Sequence, residues 1–382
     1  MEKRIAKYFN DNVIYVLSIC VVLSFLFQIF KQHTAMNVVY VISLLLVFFC
    51  YIVSGSYDYL GVLFTVLTAI SAVINGVRFK EFDYYSHVMI SLCIYMCFDV
   101  SAYIKLKFST FKKVANLFLV TSLILIVGYY WGPLKNTHFE GVGSIALNLH
   151  NPNAAGMWLA SIFVLLVYFS SHFKFKTKVL YLGAAVALLP ILLATESRNS
   201  FLAALLFVVC LVTVRFFRIK RVPDAVLVVV AVLPLVVFFF YMFVIAQNLE
   251  FWSKIFSRAL LDKGMGSRIG IWSVAYGSIK ECFLVGNYYK YYNSQMHNSL
   301  MTVFCRFGAP VTVLTCVSIY RALRDLQKRS SLVATVGLGA VLFTGCFEAS
   351  VFVGVAGLYL MVLLLPACAS VEHTVQDMRY LQ

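Results

Sequence analysis

Uninterrupted apolar runs, each about as long as the 20 residues a helix needs to cross a bilayer, recur along this chain from end to end. Inside hydrocarbon every backbone N–H and C=O must find its partner within the protein, so only helices and closed barrels can span it. The runs are continuous rather than alternating, which argues against barrel strands. An all-α, polytopic membrane protein is expected, forming a single membrane domain over 1–382. Run length predicts twelve spans, at 13–30, 36–53, 59–76, 84–104, 113–131, 153–170, 178–195, 199–216, 225–244, 297–319, 331–347 and 351–369. Composition agrees: 62% of the residues are hydrophobic and 12% charged, whereas soluble domains carry about a quarter charged. A soluble globular enzyme, a disordered chain and a disulfide-stapled secreted domain are excluded. Nine of the ten cysteines lie in apolar runs, Cys282 being the exception, and no metal-binding spacing occurs. No cleaved signal peptide is expected, because the first run leads straight into further spans.

The net charge of +15 is read first as topology charge. Lys and Arg concentrate in the N-terminus and every second loop. These hold 19, among them Lys3, Lys105, Lys174, Arg215 and Arg321. The opposite short loops hold 5: Lys31, Arg78, Lys80, Lys135 and Arg198. Both termini are therefore expected in the cytoplasm. The cytoplasmic loops are too short for a nucleotide-binding domain and carry no Walker A, GxGxxG or DxD motif. The two substantial loops, 132–152 and 245–296, are expected to face outward. In the larger one Phe251, Trp252, Ile255, Phe256 and Leu260 recur at helical spacing, as do Ile269, Trp272, Ala275, Ile279 and Phe283. They read as short amphipathic helices, either on the membrane surface with Trp among the headgroups or packed on the ends of the spans.

Four outer-face segments carry side chains capable of chemistry. His150-Asn-Pro-Asn153 opens the sixth span. Asn151 reads as a helix cap ahead of Pro152, and a helix N-terminus also offers N–H groups to an anion. Thr195-Glu-Ser-Arg-Asn-Ser200 turns between spans seven and eight, where Glu196 and Arg198 form either a local ion pair or a functional site. Gly266-Ser-Arg-Ile-Gly-Ile-Trp272 carries Arg268, and a lone Arg in a basic loop is ordinarily just solvated. Met296-His-Asn-Ser-Leu300 brings the long loop back into the membrane. There His297 exchanges protons near neutral pH, and Asn298 either caps the helix or orients a hydroxyl. Taken singly, each segment has a bland structural explanation. Together, two arginines and a histidine on one face suggest a phosphate clamp and a base, since guanidinium grips phosphate bidentately. The outer-face acids Glu140, Glu196, Glu250, Asp262 and Glu281 are scattered, so no metal site is expected. Arg306 and Asp99 are charges inside spans. Arg306 is expected to face the bundle, with Asp99 or Glu196 as its partner.

In these segments the chain resembles the O-antigen ligase and O-antigen polymerase superfamily, bacterial membrane glycosyltransferases of outer-face polysaccharide assembly. NPNAAG at 151–156, ESRNSFLA at 196–203, GSRIGIW at 266–272 and HNSLMTVFCRFG at 297–308 are similar to family segments in order, spacing and sidedness. Twelve spans with one large outer loop before the tenth resemble the family architecture. The resemblance implies a glycan donor on undecaprenyl diphosphate and a glycan acceptor, meeting at the outer face of the bacterial inner membrane. It implies that Arg198 and Arg268 bind the diphosphate and that His297 serves the acceptor hydroxyl. Asn298, Asn151, Asn153, Glu196 and Arg306 are the expected substrate-binding residues. The transfer is expected to be inverting, with no metal and no cofactor. A polymerase moving the growing glycan onto the next lipid-linked repeat unit is the expected activity. A ligase to lipid A–core is the alternative within the superfamily, and a lipid-linked glycan flippase the alternative outside it. The bilayer is an expected partner and a chain-length regulator a candidate one; nucleic acid is not expected.

Overall fold

Apolar continuity decides where the helices of this chain run, and short polar punctuation decides where they stop. The computed structural model describes residues 7–55, 59–80, 85–101, 103–138, 144–149, 151–248, 266–287, 296–329, 332–348, 351 and 355–372. Helix α1 (Asp11–Ile29) starts on Asn10, whose side chain accepts from the N–H groups of Asn12 and Val13 at 3.1 and 3.2 Å. Helix α2 (His33–Ser54) stops at Gly55, which is left-handed. There follow α3 (Tyr59–Phe79), α4 (Tyr85–Ser101), α5 (Phe108–Tyr130), α6 (Pro152–Ser170), α7 (Phe175–Ala194), α8 (Arg198–Phe216) and α9 (Asp224–Phe240). A π-helical turn, Tyr241–Ile245, extends α9.

Among the described residues eight helices are long and apolar enough to cross a membrane: α1, α2, α3, α5, α6, α7, α8 and the extended α9. The chain is therefore a membrane-embedded, multi-pass and nearly all-α protein. Helix α6 is buried on almost every side, whereas α2 turns Val38, Ile42, Leu45 and Phe49 outward, as a bilayer-facing helix should. Trp131 is 80% exposed at the end of α5, an interfacial position. The opposite end of the bundle shows Phe175, Phe216 and Phe217 beside Lys174, Arg215 and Arg218.

The other expected spans map onto shorter elements. The runs 84–104 and 331–347 coincide with α4 and with α14 (Leu332–Phe343), which continues as a 3-10 turn, Thr344–Cys346. The run 351–369 holds α15 (Val355–Cys368). The run 297–319 is not one helix. It breaks at Gly308 into α12 (Ser299–Phe307) and α13 (Ala309–Arg329). Gly308 sits at φ +89, and the Ala309 N–H donates outside its own helix, to the Phe283 carbonyl at 2.8 Å.

Within 245–296 the second expected amphipathic stretch forms α10 (Gly266–Gly277) and α11 (Ile279–Cys282); the first, 251–260, lies outside the described residues. Trp272 does not sit among headgroups. It is 1% exposed, edge-on to Tyr241 at 5.0 Å, and its Nε1 donates to the Met296 carbonyl at 2.6 Å. The packed reading of this stretch therefore holds for Trp272 and Ala275, while Val274 and Phe283 are exposed.

The all-α expectation also meets one small sheet. Strand β1 (Lys105–Lys107) pairs in parallel with β2 (Ser370–Glu372), burying Leu106. The Lys107 N–H donates to Asp11 Oδ1 at 2.9 Å, so the sheet also ties down the start of α1.

Candidate functional site

The four segments singled out from sequence are linked at one end of the bundle, the second to the fourth through the Thr344–Cys346 turn. The first two meet where α6 crosses the α7–α8 turn. Asn151 caps α6, its side chain accepting from the Ala154 N–H at 2.7 Å, with Pro152 in the first turn. Gly156, one turn further, lies against Ser197 so closely that a Cβ would overlap that side chain. Ser197 Oγ in turn donates to Ser200 Oγ at 2.8 Å. Asn153 is half-buried in the first turn of α6, and His150 lies outside the described residues.

Glu196 makes the α7–α8 turn at φ +53, and both it and Arg198 are exposed. They stand at the rim of an open groove of about 610 Å³. Below them the groove is lined by Leu192, Leu193, Phe201, Leu202 and Leu205. It has one charged end and an otherwise apolar wall.

Asn199, next to Arg198, points the other way, into the bundle. Its Nδ2 donates to the Thr344 carbonyl at 2.8 Å, linking α8 to the turn after α14. The same turn receives the fourth segment. Asn298 is 0% exposed and both ends of its amide are engaged. Its oxygen caps α12 by accepting from the Met301 N–H at 3.0 Å. Its nitrogen donates to the carbonyls of Pro234 (2.7 Å) and Cys346 (3.1 Å). Three elements are thus pinned by one side chain. Ser299 adds a bond from Oγ to the Glu348 carbonyl. His297, half-buried, precedes them at φ +46, a left-handed conformation rare outside glycine. The third segment joins through the Trp272–Met296 bond, which seats α10 against the residue that precedes His297.

Arg306 is 8% exposed in the last turn of α12, so it does face the bundle. A guanidinium there also complements the carbonyl end of the helix. The segment 283–287 presses against this turn. Gly286, at φ +69, leaves no space for a Cβ beside the Arg306 carbonyl, and the Asn287 N–H donates to the Cys305 carbonyl at 2.7 Å. From α3, Ser71 Oγ and Asn75 Nδ2 donate to the Val285 carbonyl at 2.5 and 3.2 Å. Non-helical backbone inside a membrane protein is tolerated where protein groups satisfy it, as Ser71, Asn75 and the Asn287–Cys305 bond do here.

Of the two expected partners of Arg306, Glu196 is at the exposed turn. Asp99 accepts from Tyr51 Oη at 2.9 Å and lines a small cavity with Arg321 and Asp325, towards the far end of α13. Sequence reasoning also passed over Glu348. In the sequence it is the single acid in the tight turn between the last two apolar runs. The polar pair Ser71 and Asn75, four residues apart on one face of α3, was a second overlooked signal. Compared with known proteins, the chain matches no family model and no curated protein sequence.

Proposed function

We propose that this protein is a polysaccharide polymerase of the O-antigen type. It transfers a growing glycan from undecaprenyl diphosphate to the next lipid-linked repeat unit, on the face of the inner membrane away from the cytoplasm. The observation that carries the reading is the groove at the α7–α8 turn. Its rim presents the Arg198 cation beside Glu196, and that cation together with the apolar wall suits an amphiphile with an anionic head and a long hydrocarbon tail. The joining of all four segments at that end supports a common site, and the charge bias of the loops supports its outward orientation with both termini inside.

In this reading Arg198 and Arg268 hold the diphosphate and stabilise the negative charge that builds on its leaving oxygen. The acceptor hydroxyl attacks the anomeric carbon from the opposite side and inverts it. His297 takes the hydroxyl proton. Asn153, Glu196 and Arg306 are the remaining candidates for substrate contacts, whereas Asn151 and Asn298 serve through the helix starts they cap. No metal is needed to balance the charge, because two guanidinium groups supply it.

The test is chain growth by purified protein on lipid-linked repeat units, followed on gels with and without EDTA. Lengthening that survives EDTA is expected. Transfer only to a lipid A–core acceptor would make the protein a ligase. Failure to lengthen any acceptor, with movement of the lipid between leaflets, would make it a flippase. Loss in EDTA restored by magnesium would overturn the metal-free step.

A further inference from the structure

Two charged side chains are buried among the described residues, Arg306 and Glu348, the latter 7% exposed. A carboxylate withdrawn from water is costly and calls for a function. The backbone of Glu348 is fixed on both sides. Its N–H donates to the Thr344 carbonyl at 3.1 Å. Its own carbonyl accepts from Ser299 Oγ, and that oxygen accepts from the Val351 N–H at 3.2 Å. Two residues earlier the Cys346 carbonyl accepts from Asn298. Residues 346–348 and 297–299 therefore run side by side, cross-linked through Asn298 and Ser299. A Cβ at Gly345 would stand 3.2 Å from Ser299 Oγ, so the turn is packed tight against this segment. His297 begins the segment in a left-handed conformation that its surroundings must impose. Its Nδ1 and Glu348 Oε1 are both shielded from solvent.

We infer that Glu348 is a positioning residue for His297: its carboxylate orients the imidazole and stabilises the imidazolium formed when His297 takes the acceptor's proton. This rests on the role given to His297 in the proposed function. A base whose far nitrogen faces a carboxylate holds one tautomer, and the positive charge it gains meets a fixed negative one. In the step, the acceptor oxygen bonds to the anomeric carbon. The bond from that carbon to the diphosphate oxygen breaks, and its electron pair stays on the diphosphate. The hydroxyl proton passes to His297, and Glu348 remains ionised. Catalytic hydrogen bonds of this kind tighten when substrate fills the site.

A double-mutant cycle on the full chain, with lipid-linked repeat as substrate, tests it. Glu348→Gln keeps the size and removes the charge. It should lower kcat by about 10² to 10⁴ with little change in KM, and Glu348→Asp should recover part of the loss. In a His297→Ala background Glu348→Gln should cost nothing further. Independently of turnover, the infrared carboxylate band that Glu348→Asp displaces should shift in His297→Ala. Additive losses overturn the inference, and so does an unmoved band. If the wild-type chain lengthens no glycan, the proposed function falls, and the infrared band alone decides whether Glu348 and His297 are coupled. If Glu348→Gln fails to insert, Glu348→Asp completes the cycle.

Discussion

Three asparagines with the same expected role end in different situations. Asn151 and Asn298 are read from sequence as helix caps or substrate ligands, and the cap geometry is realised in both. The Asn-Pro and Asn-Ser pairs made those helix starts legible. What sequence could not reveal is that Asn298 also reaches Pro234, 64 residues away along the chain. Asn298→Ala removes a cap and strands two buried carbonyls, so it should cost about 2–4 kcal/mol. Thermal unfolding of the purified protein would register this as a clearly lower midpoint. Asn153→Ala should leave that midpoint within about 0.5 kcal/mol of wild type. If it nonetheless lowers turnover, Asn153 contacts substrate. Arg198 is exposed on the groove rim, with no packing role to confuse the result. Arg198→Ala should insert normally and lose roughly 10²-fold in rate, the scale of removing one fixed charge-stabilising group. Arg198→Lys should rescue poorly, because an ammonium lacks the planar fork. Wild-type turnover by the lysine variant would dismiss bidentate grip of a diphosphate.

The helices were mostly visible in hydropathy, and the exceptions have identifiable causes. The α7–α8 hairpin divides at residues 195–197, where the apolar run stops for Thr-Glu-Ser, close to the expected boundary. The break between α12 and α13 escaped, because a running average of hydropathy passes smoothly over Gly-Ala-Pro. The cue was local: a glycine followed two residues later by a proline is a stop and a start. The second half of the cue was unavailable, since the break also needs the 283–287 segment to press its carbonyls against it. Gly308→Ala forces a side chain into a positive-φ, extended conformation reserved for glycine, about 1–3 kcal/mol, and also against the Leu284 carbonyl. It should lower the yield of folded protein and its thermal midpoint more than Gly183→Ala, where a Cβ meets nothing within 4 Å. Equal behaviour of the two variants would mean that the chain crosses there without the break.

Sidedness belongs to the bundle as a unit. Charge counting in short loops is a property of the unfolded, inserting chain, so the expectation of sidedness needs no knowledge of contacts. How the ends of nonconsecutive helices assemble was not readable, because residue order does not say which turns face each other. Reporters fused at Lys220 and Lys263 should report opposite compartments; the same compartment for both would remove the outward-facing site. The sheet at the far end from that site adds a matter of timing. Strand β1 is made early, with its neighbour Asp11 already present, but its partner β2 is synthesised only after α15. For most of translation the strand therefore lacks the partner that fills its edge in the folded protein. The pairing joins segments about 265 residues apart, and it cannot form before the later one is made. Until residues 370–372 are made, the pairing groups of residues 105–107 have no strand partner from β2.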